Sequence, residues 1–316
     1  MMTAVVAIGG NAISRAQEEA TLENQMRHLR ETCAHLARMI AAGYDMVLTH
    51  GNGPQVGNIL LQNELARDDI PPMPLDVCVA ESQGLLGYMI QQALTEQLDR
   101  LGLNKVVTCI VTRVLVDEDD PAFECPTKPI GLYYTAEEAE QIKQKERCTF
   151  IEDVKRGGYR RVVPSPRPVK IVECSAIRRL VFGGEQQAEV VIASGGGGIP
   201  VIRRDGHYEG VEAVIDKDLA AARLALDIEE KLFIMLTDAD RVYLDFTSAN
   251  PRPLDRTDVA ALETYLSEGQ FPAGSMGPKI EAAIQFLKGG GGRVIITSPE
   301  RLDAALEGRA GTHITR

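Results

Sequence analysis

Short apolar runs that end in glycine recur along this chain, and the stretches after them are patterned as helices. Ala4–Ile8 leads into Gly9-Gly10, Met46–Thr49 into "HGNGPQVG", and Val190–Ala193 into "SGGGGIPV". Between the first two runs, Leu22, Met26, Leu29, Cys33, Leu36 and Ile40 recur every three or four residues. That is the apolar stripe of one long helix, stopping at Gly43. Strands that are apolar throughout need cover on both faces, which parallel strands joined by helices provide. The repeat of strand, glycine turn and helix therefore predicts an α/β fold: a three-layer αβα sandwich with a mostly parallel central sheet.

The same reading gives a helix at Val56–Leu65, one or two helices across Val77–Leu101, and a strand at Lys105–Val111. The rhythm breaks over about 117–168, which is rich in charge, proline and aromatic residues and holds one short polar helix near Ala136–Lys145. This segment reads as a small protruding subdomain, or lid, inserted in the N-terminal half. The α/β rhythm then resumes, with a helix near Ser175–Phe182, a helix from Asp216, strands at Leu232–Leu236 and Val294–Thr297, and a helix from about Gly277 between them. The 316 residues read as a single domain with two halves, approximately 1–185 and 186–316.

Charge and motif absences exclude several classes of function. A net charge of −11 lacks the basic footprint of a nucleic-acid binder. No apolar run approaches the roughly 20 residues of a membrane span, and strand-like sequence starts too early to leave room for a signal peptide. The six cysteines are scattered without a CxxC pair, as reduced thiols of a cytoplasmic protein would be. The P-loop motif, the protein-kinase H-R-D and D-F-G sets, a G-x-G-x-x-G after the first strand and a G-x-S-x-G elbow do not occur. With five histidines and no paired cysteine, no metal cluster stands out.

What remains is a set of glycine turns at strand ends and two lysines at helix entrances. Glycine lets backbone N–H groups close on an anionic oxygen, and a helix N-terminus adds unpaired donors. Asp216 reads as an N-cap with Lys217 and Asp218 in the first turn, while Pro278 fits a first helical position followed by Lys279. A glycine turn is most often only a tight turn, and a first-turn lysine is usually solvated against an unfavourable dipole. Two such lysines together suit neutralisation of a transferring phosphoryl group, whose reaction needs clamping and electrostatics above all.

"AIGGNAI", "LTHGNGPQVG", "PTKPIG", "YRRVVPSPRP", "ASGGGGIPV", "GVEAVIDKDLA", "LTDADRVY" and "GSMGPK" occur in this order, spanning nearly the whole chain. Together they resemble the carbamate kinases of the amino acid kinase family. The "PTKPIG" excursion carries the likeness to that branch rather than to the acetylglutamate or UMP kinases. The resemblance implies reversible phosphoryl transfer between ATP and carbamate, with Mg²⁺ carried by the nucleotide phosphates, often run toward ATP from carbamoyl phosphate. It also implies a homodimer, a carbamate- or carbamoyl-phosphate-binding N-terminal half and a nucleotide-binding C-terminal half.

Residue by residue, Gly9, Gly10 and Asn11 match the loop lying against the transferring group, and Gly51, Asn52 and Gly53 match the loop at the carbamoyl end. Lys128 matches a lysine reaching over the site from the subdomain. Lys217 and Lys279 match the pair that stabilises the transferring group, and Asp218 the carboxylate that orients them. Thr237, Asp238, Tyr243, Gly274, Ser275 and Met276 fall in segments resembling the nucleotide site. Gly195–Gly198 become one wall of the site, with direct phosphate contact left open. Two positions depart from the pattern: Ala239, where a bulkier apolar residue is expected, and Glu81, where Met is expected.

Two other readings stay open at this level. One keeps the fold and changes the acceptor to another small carboxylate or phosphate. The other is a regulator that binds nucleotide or carbamoyl phosphate without turnover, a reading weakened by the presence of all three matched lysines and Asp218.

Overall fold

A computed structural model describes residues 2–15, 18–145, 148–152, 157–183, 190–248, 250–272 and 274–316, without the side chains of Asn11, Leu132 and Lys145. Its central sheet has eight strands. In spatial order they are Arg256–Asp258, Thr312–Thr315, Arg293–Thr297, Leu232–Leu236, Met2–Ile8, Tyr44–His50, Val190–Ile192 and Val107–Cys109. Neighbours run parallel, save that Thr312–Thr315 is antiparallel to Arg293–Thr297.

Successive side chains of a strand point to opposite faces, and here both faces are apolar. Val5 and Ala7 pack with the helices Lys217–Asp227 and Met276–Lys288 through Leu224, Ile280 and Phe286. Ala4, Val6 and Ile8 pack with Leu22–Ala41 and Leu75–Arg100 through Leu29, Leu36, Leu86 and Leu94. All of these are fully buried, and burying a large apolar side chain contributes about 1.5–3 kcal/mol. The three-layer αβα architecture follows, as the strand rhythm predicts. The stretch Val77–Leu101 lies within one continuous helix. Among the described residues, no helix is long and apolar enough to cross a membrane.

Three features differ from the sequence reading or go beyond it. The stretch Lys105–Val111 is not one strand: the chain leaves the central sheet after Cys109 and enters a second sheet as Arg113–Val116. Gln83, buried in the long helix, bonds the backbone of Thr112 at the crossing. Its side chain accepts from Thr112 N at 2.8 Å and donates to Thr112 O at 3.1 Å. This second sheet has the order His207–Gly210, Ile199–Arg204, Arg113–Val116, Pro168–Ile171. Pro278, expected first in its helix, is third in Met276–Lys288. The helix begins earlier because Ser275 N and Gly277 N both bond Pro272 O, wrapping the chain into a turn before it.

The excursion forms its own antiparallel sheet, Lys128–Tyr134, Tyr159–Val163 and Thr149–Glu152, with the helix Ala136–Lys145. A hairpin, Val242–Leu244 with Arg252–Leu254, is tied to the central sheet by Thr312. The Thr312 hydroxyl accepts from Val242 N at 2.8 Å and donates to Leu254 O.

Candidate active site

The strands Met2–Ile8, Tyr44–His50 and Leu232–Leu236 end at the same edge of the sheet, where the helices Gly53–Leu65, Lys217–Asp227 and Met276–Lys288 begin. Between these ends lies a cleft of about 990 Å³. Strand ends and helix N-termini are where open α/β sheets seat ligands.

The floor of the cleft is a chain of alternating charge. Lys217 Nζ lies 2.7 Å from one oxygen of Asp218, and Lys279 Nζ lies 2.8 Å from the other. Asp218 is 4% exposed and Lys279 8%, so both are held out of water, while the Lys217 side chain keeps 16% of its surface exposed. Burial alone would raise the Asp218 carboxyl, but the ammonium groups of Lys217 and Lys279 outweigh it and hold it below the usual carboxylate range. Burial pushes the Lys217 ammonium down from its ordinary value, against the opposing pull of Asp218.

A third lysine reaches the cleft from the subdomain. Lys128, first residue of Lys128–Tyr134, sets its Nζ 2.8 Å from Asp216 Oδ2. Three ammonium groups against the two carboxylates Asp216 and Asp218 leave the cluster with one net positive charge. The subdomain approaches through glycine: a Cβ on Gly57, in the helix Gly53–Leu65, would stand 3.2 Å from Gly131 Cα. Glu64 on the same helix accepts from Arg161 and from Tyr134 OH, each at 3.5 Å.

Gly9 and Gly10 line the cleft beside Gly51, Asn52 and Gly53. Gly51 leaves passage for the Lys217 stem, whose Cδ would be 3.4 Å from a Cβ there. Asn11 stands in the turn Gly10–Ala12, but its side chain, to which the resemblance assigns a role, lies outside the described groups.

The glycine run after Val190–Ile192 is buried throughout and left-handed, at φ +66°, +97° and +82° for Gly196, Gly197 and Gly198. A Cβ on Gly195 would be 2.3 Å from His50 Nε2, and one on Gly196 would be 2.1 Å from Asn52 Nδ2. The run is therefore a socket for two side chains, and Gly196 lines the cleft. Asn52 Nδ2 donates to Ser82 Oγ at 2.7 Å, and Ser82 Oγ donates to Val79 O at 2.6 Å. His50, which is pushed down to about 4 by burial, stays neutral and donates from Nδ1 to Gly51 O at 3.0 Å.

Thr237, Asp238, Tyr243, Gly274, Ser275 and Met276 all line the other end of the cleft. Tyr243 OH donates to Asp240 Oδ1 at 2.8 Å. Phe246, Phe271 and Arg241 line this end as well, and sequence reasoning missed them. Ala239 also lines it, and Glu81 is exposed on the long helix.

Sequence reasoning also missed Ser82 and His50 as supports, together with the ion pair of Asp216 with Lys128. For His50 a signal existed: a histidine ending a run of apolar strand residues is buried and must be accommodated. Among the described residues, no group of three or more His, Cys, Asp or Glu could hold a metal ion. The two floor carboxylates, Asp216 and Asp218, are both engaged by lysines.

The chain matches the model of the amino acid kinase family over residues 2–298. It is 47% identical over 313 residues to a carbamate kinase of Pyrococcus horikoshii, covering 98% of each chain. It is 48% identical over 316 residues to the carbamate kinase-like protein YahI of Escherichia coli, covering 99% of this chain and 98% of YahI. Among solved structures, the carbamate kinase of Giardia lamblia bound to AMP-PNP superposes with a TM-score of 0.92 at 40% identity, covering 99% of this chain and 98% of that one.

Proposed function

The chain belongs to the amino acid kinase family, and from that premise we propose that it catalyses reversible phosphoryl transfer between ATP and carbamate. Likeness to carbamate kinases along the whole chain supports this substrate. The observation that carries the reading is the convergence of Lys217 and Lys279 on Asp218 beside Gly9, Gly10 and Gly51.

In the forward direction a carbamate oxygen attacks the γ-phosphorus of ATP. The bond from that phosphorus to the bridging oxygen breaks, and ADP leaves with the electron pair. In reverse, an ADP β-phosphate oxygen attacks the phosphorus of carbamoyl phosphate and carbamate departs. Carbamate is already an anionic nucleophile, so the site needs no general base. The barrier is repulsion between anions, which fixed positive charge in a low-dielectric floor offsets with little reorganisation. Lys217 and Lys279 supply that charge at the transferring group, and Asp218 fixes their spacing. Lys128 adds charge from the subdomain side, and the backbone around Gly9–Gly10 and Gly51–Gly53 brackets the reacting ends.

Mg²⁺ bound to the nucleotide phosphates would neutralise part of their charge, and the engaged state of Asp216 and Asp218 fits a metal that arrives with the nucleotide. Homodimeric assembly, a cytoplasmic location and a catabolic direction toward ATP belong to the same proposal.

Purified protein given carbamoyl phosphate, ADP and Mg²⁺ is expected to form ATP, read by a coupled luciferase assay. Phosphorylation of acetylglutamate or UMP, with no ATP from carbamoyl phosphate, would move the chain to another acceptor. Thermal stabilisation by ADP without turnover on any acceptor would instead make it a binding protein.

A further inference from the structure

Asp216 uses its two carboxylate oxygens for different tasks. Oδ1 accepts from Asp218 N at 2.9 Å and Leu219 N at 3.4 Å, capping the helix Lys217–Asp227. Oδ2 accepts from Lys128 Nζ at 2.8 Å. The cap fixes the turn that carries Lys217 and Asp218, and the other oxygen fixes the lysine of the subdomain. We propose that Asp216 is a positioning residue, which acts through Lys128 to register the subdomain against the first turn of the catalytic helix. This inference rests on the phosphoryl-transfer reading above.

The ion pair differs in setting from an ordinary surface bridge. The Asp216 side chain is 15% exposed and that of Lys128 33%, and both line the cleft. A lysine side chain has many rotamers and loses them only to a fixed partner. Asp216 is such a partner because its own conformation is set by the cap. Lys128 is thus held on the cleft side of its strand before any anion arrives. An arriving phosphoryl group, with more charge than one carboxylate, then competes for an ammonium already in place.

The capping and pairing roles can be separated. Asparagine caps a helix about as well as aspartate, and serine nearly so. Neither presents a carboxylate to Lys128. Asp216→Asn and Asp216→Ser are therefore expected to melt close to the wild type and to keep KM for ADP. Each should lower kcat/KM for carbamoyl phosphate about tenfold, less than the roughly 10²-fold that a full 1 Å misplacement can cost.

The decisive measurement is a double-mutant cycle with Lys128→Met. In that background Asp216→Asn is expected to cause less than about a twofold further loss, since the group it positions is gone. A full additional tenfold loss would overturn the proposal, as would wild-type kcat/KM in both single variants. If Asp216→Asn fails to fold, Asp216→Ser carries the cycle. Failure of the wild type itself to make ATP from carbamoyl phosphate is a separate result, which removes the kinase reading rather than the coupling.

Discussion

Asn52 lies against the bare α-carbon of Gly196 so closely that a Cβ there would stand 2.1 Å from its amide nitrogen. The glycine is also left-handed, at φ +66°. Gly196→Ala must therefore displace Asn52 and strain its own backbone, at a cost of about 1–3 kcal/mol. Denaturant unfolding should show that loss, together with a raised KM for carbamoyl phosphate. Gly84→Ala is the control: it lies in the exposed part of a helix with open space around it. That change should be neutral or stabilise by about 0.5–1 kcal/mol.

On the phosphoryl-transfer proposal, removing any one ammonium of the cluster leaves part of the transition-state charge unopposed. Lys128→Ala, Lys217→Ala and Lys279→Ala are each expected to lower kcat about 10²–10³-fold, the cost of losing one aimed donor. Far-UV circular dichroism should remain that of the wild type. Rates near wild type in all three variants would remove the lysines from the mechanism.

Asp218→Asn should shift the alkaline limb of activity. Burial already lowers the Lys217 ammonium, and Asp218 is the group that pulls it back up. Without that carboxylate the ammonium loses its proton at lower pH, so kcat/KM should begin to fall earlier as pH rises. A profile from about pH 6 to 10 tests this; an unmoved limb, or one moved to higher pH, contradicts it.

His50 makes stability depend on pH in a stated direction. Its pKa in the fold is about 4, against about 6.5 for the unfolded chain. The unfolded state therefore takes up a proton that the native state refuses. The stabilisation is complete above about pH 6.5 and is lost as pH falls toward 4, reaching about 2 kcal/mol of loss at pH 5. His50→Asn, compared with wild type by urea unfolding at pH 7 and pH 5, should lack this increment. Equal losses in the two proteins would show that His50 does not titrate in this way.

Much of the fold was legible because both faces of the central strands are buried, so their apolar runs and glycine ends stand out. The second sheet was not legible. Arg113–Val116 and Pro168–Ile171 are four residues each, and their pairing is non-local. The side chain that lets the chain change sheets, Gln83, lies in a helix far away in sequence. At the site, Lys217, Asp218 and Lys279 could be found because charge at a helix entrance is locally visible and the motifs resemble a known family. Ser82 could not be found in that way, since its contribution lies in what it touches; for His50 the apolar strand signals burial but not the glycine that seats it. Asp216 was legible as a cap, but nothing local reveals where its second oxygen points. The glycine run shows the same limit. Its composition suggests a cradle for phosphate, whereas its contacts show a seat for His50 and Asn52.

The anchoring of the Val242–Leu244 hairpin by Thr312 sets an order on assembly. Val242 and Leu254 precede their shared partner by 70 and 58 residues. A ribosome making about 5–20 residues per second delivers Thr312 several seconds after the hairpin it holds. The wall bearing Tyr243 is thus synthesised well before it can be fastened. That end of the cleft should therefore be among the last parts that a growing chain completes.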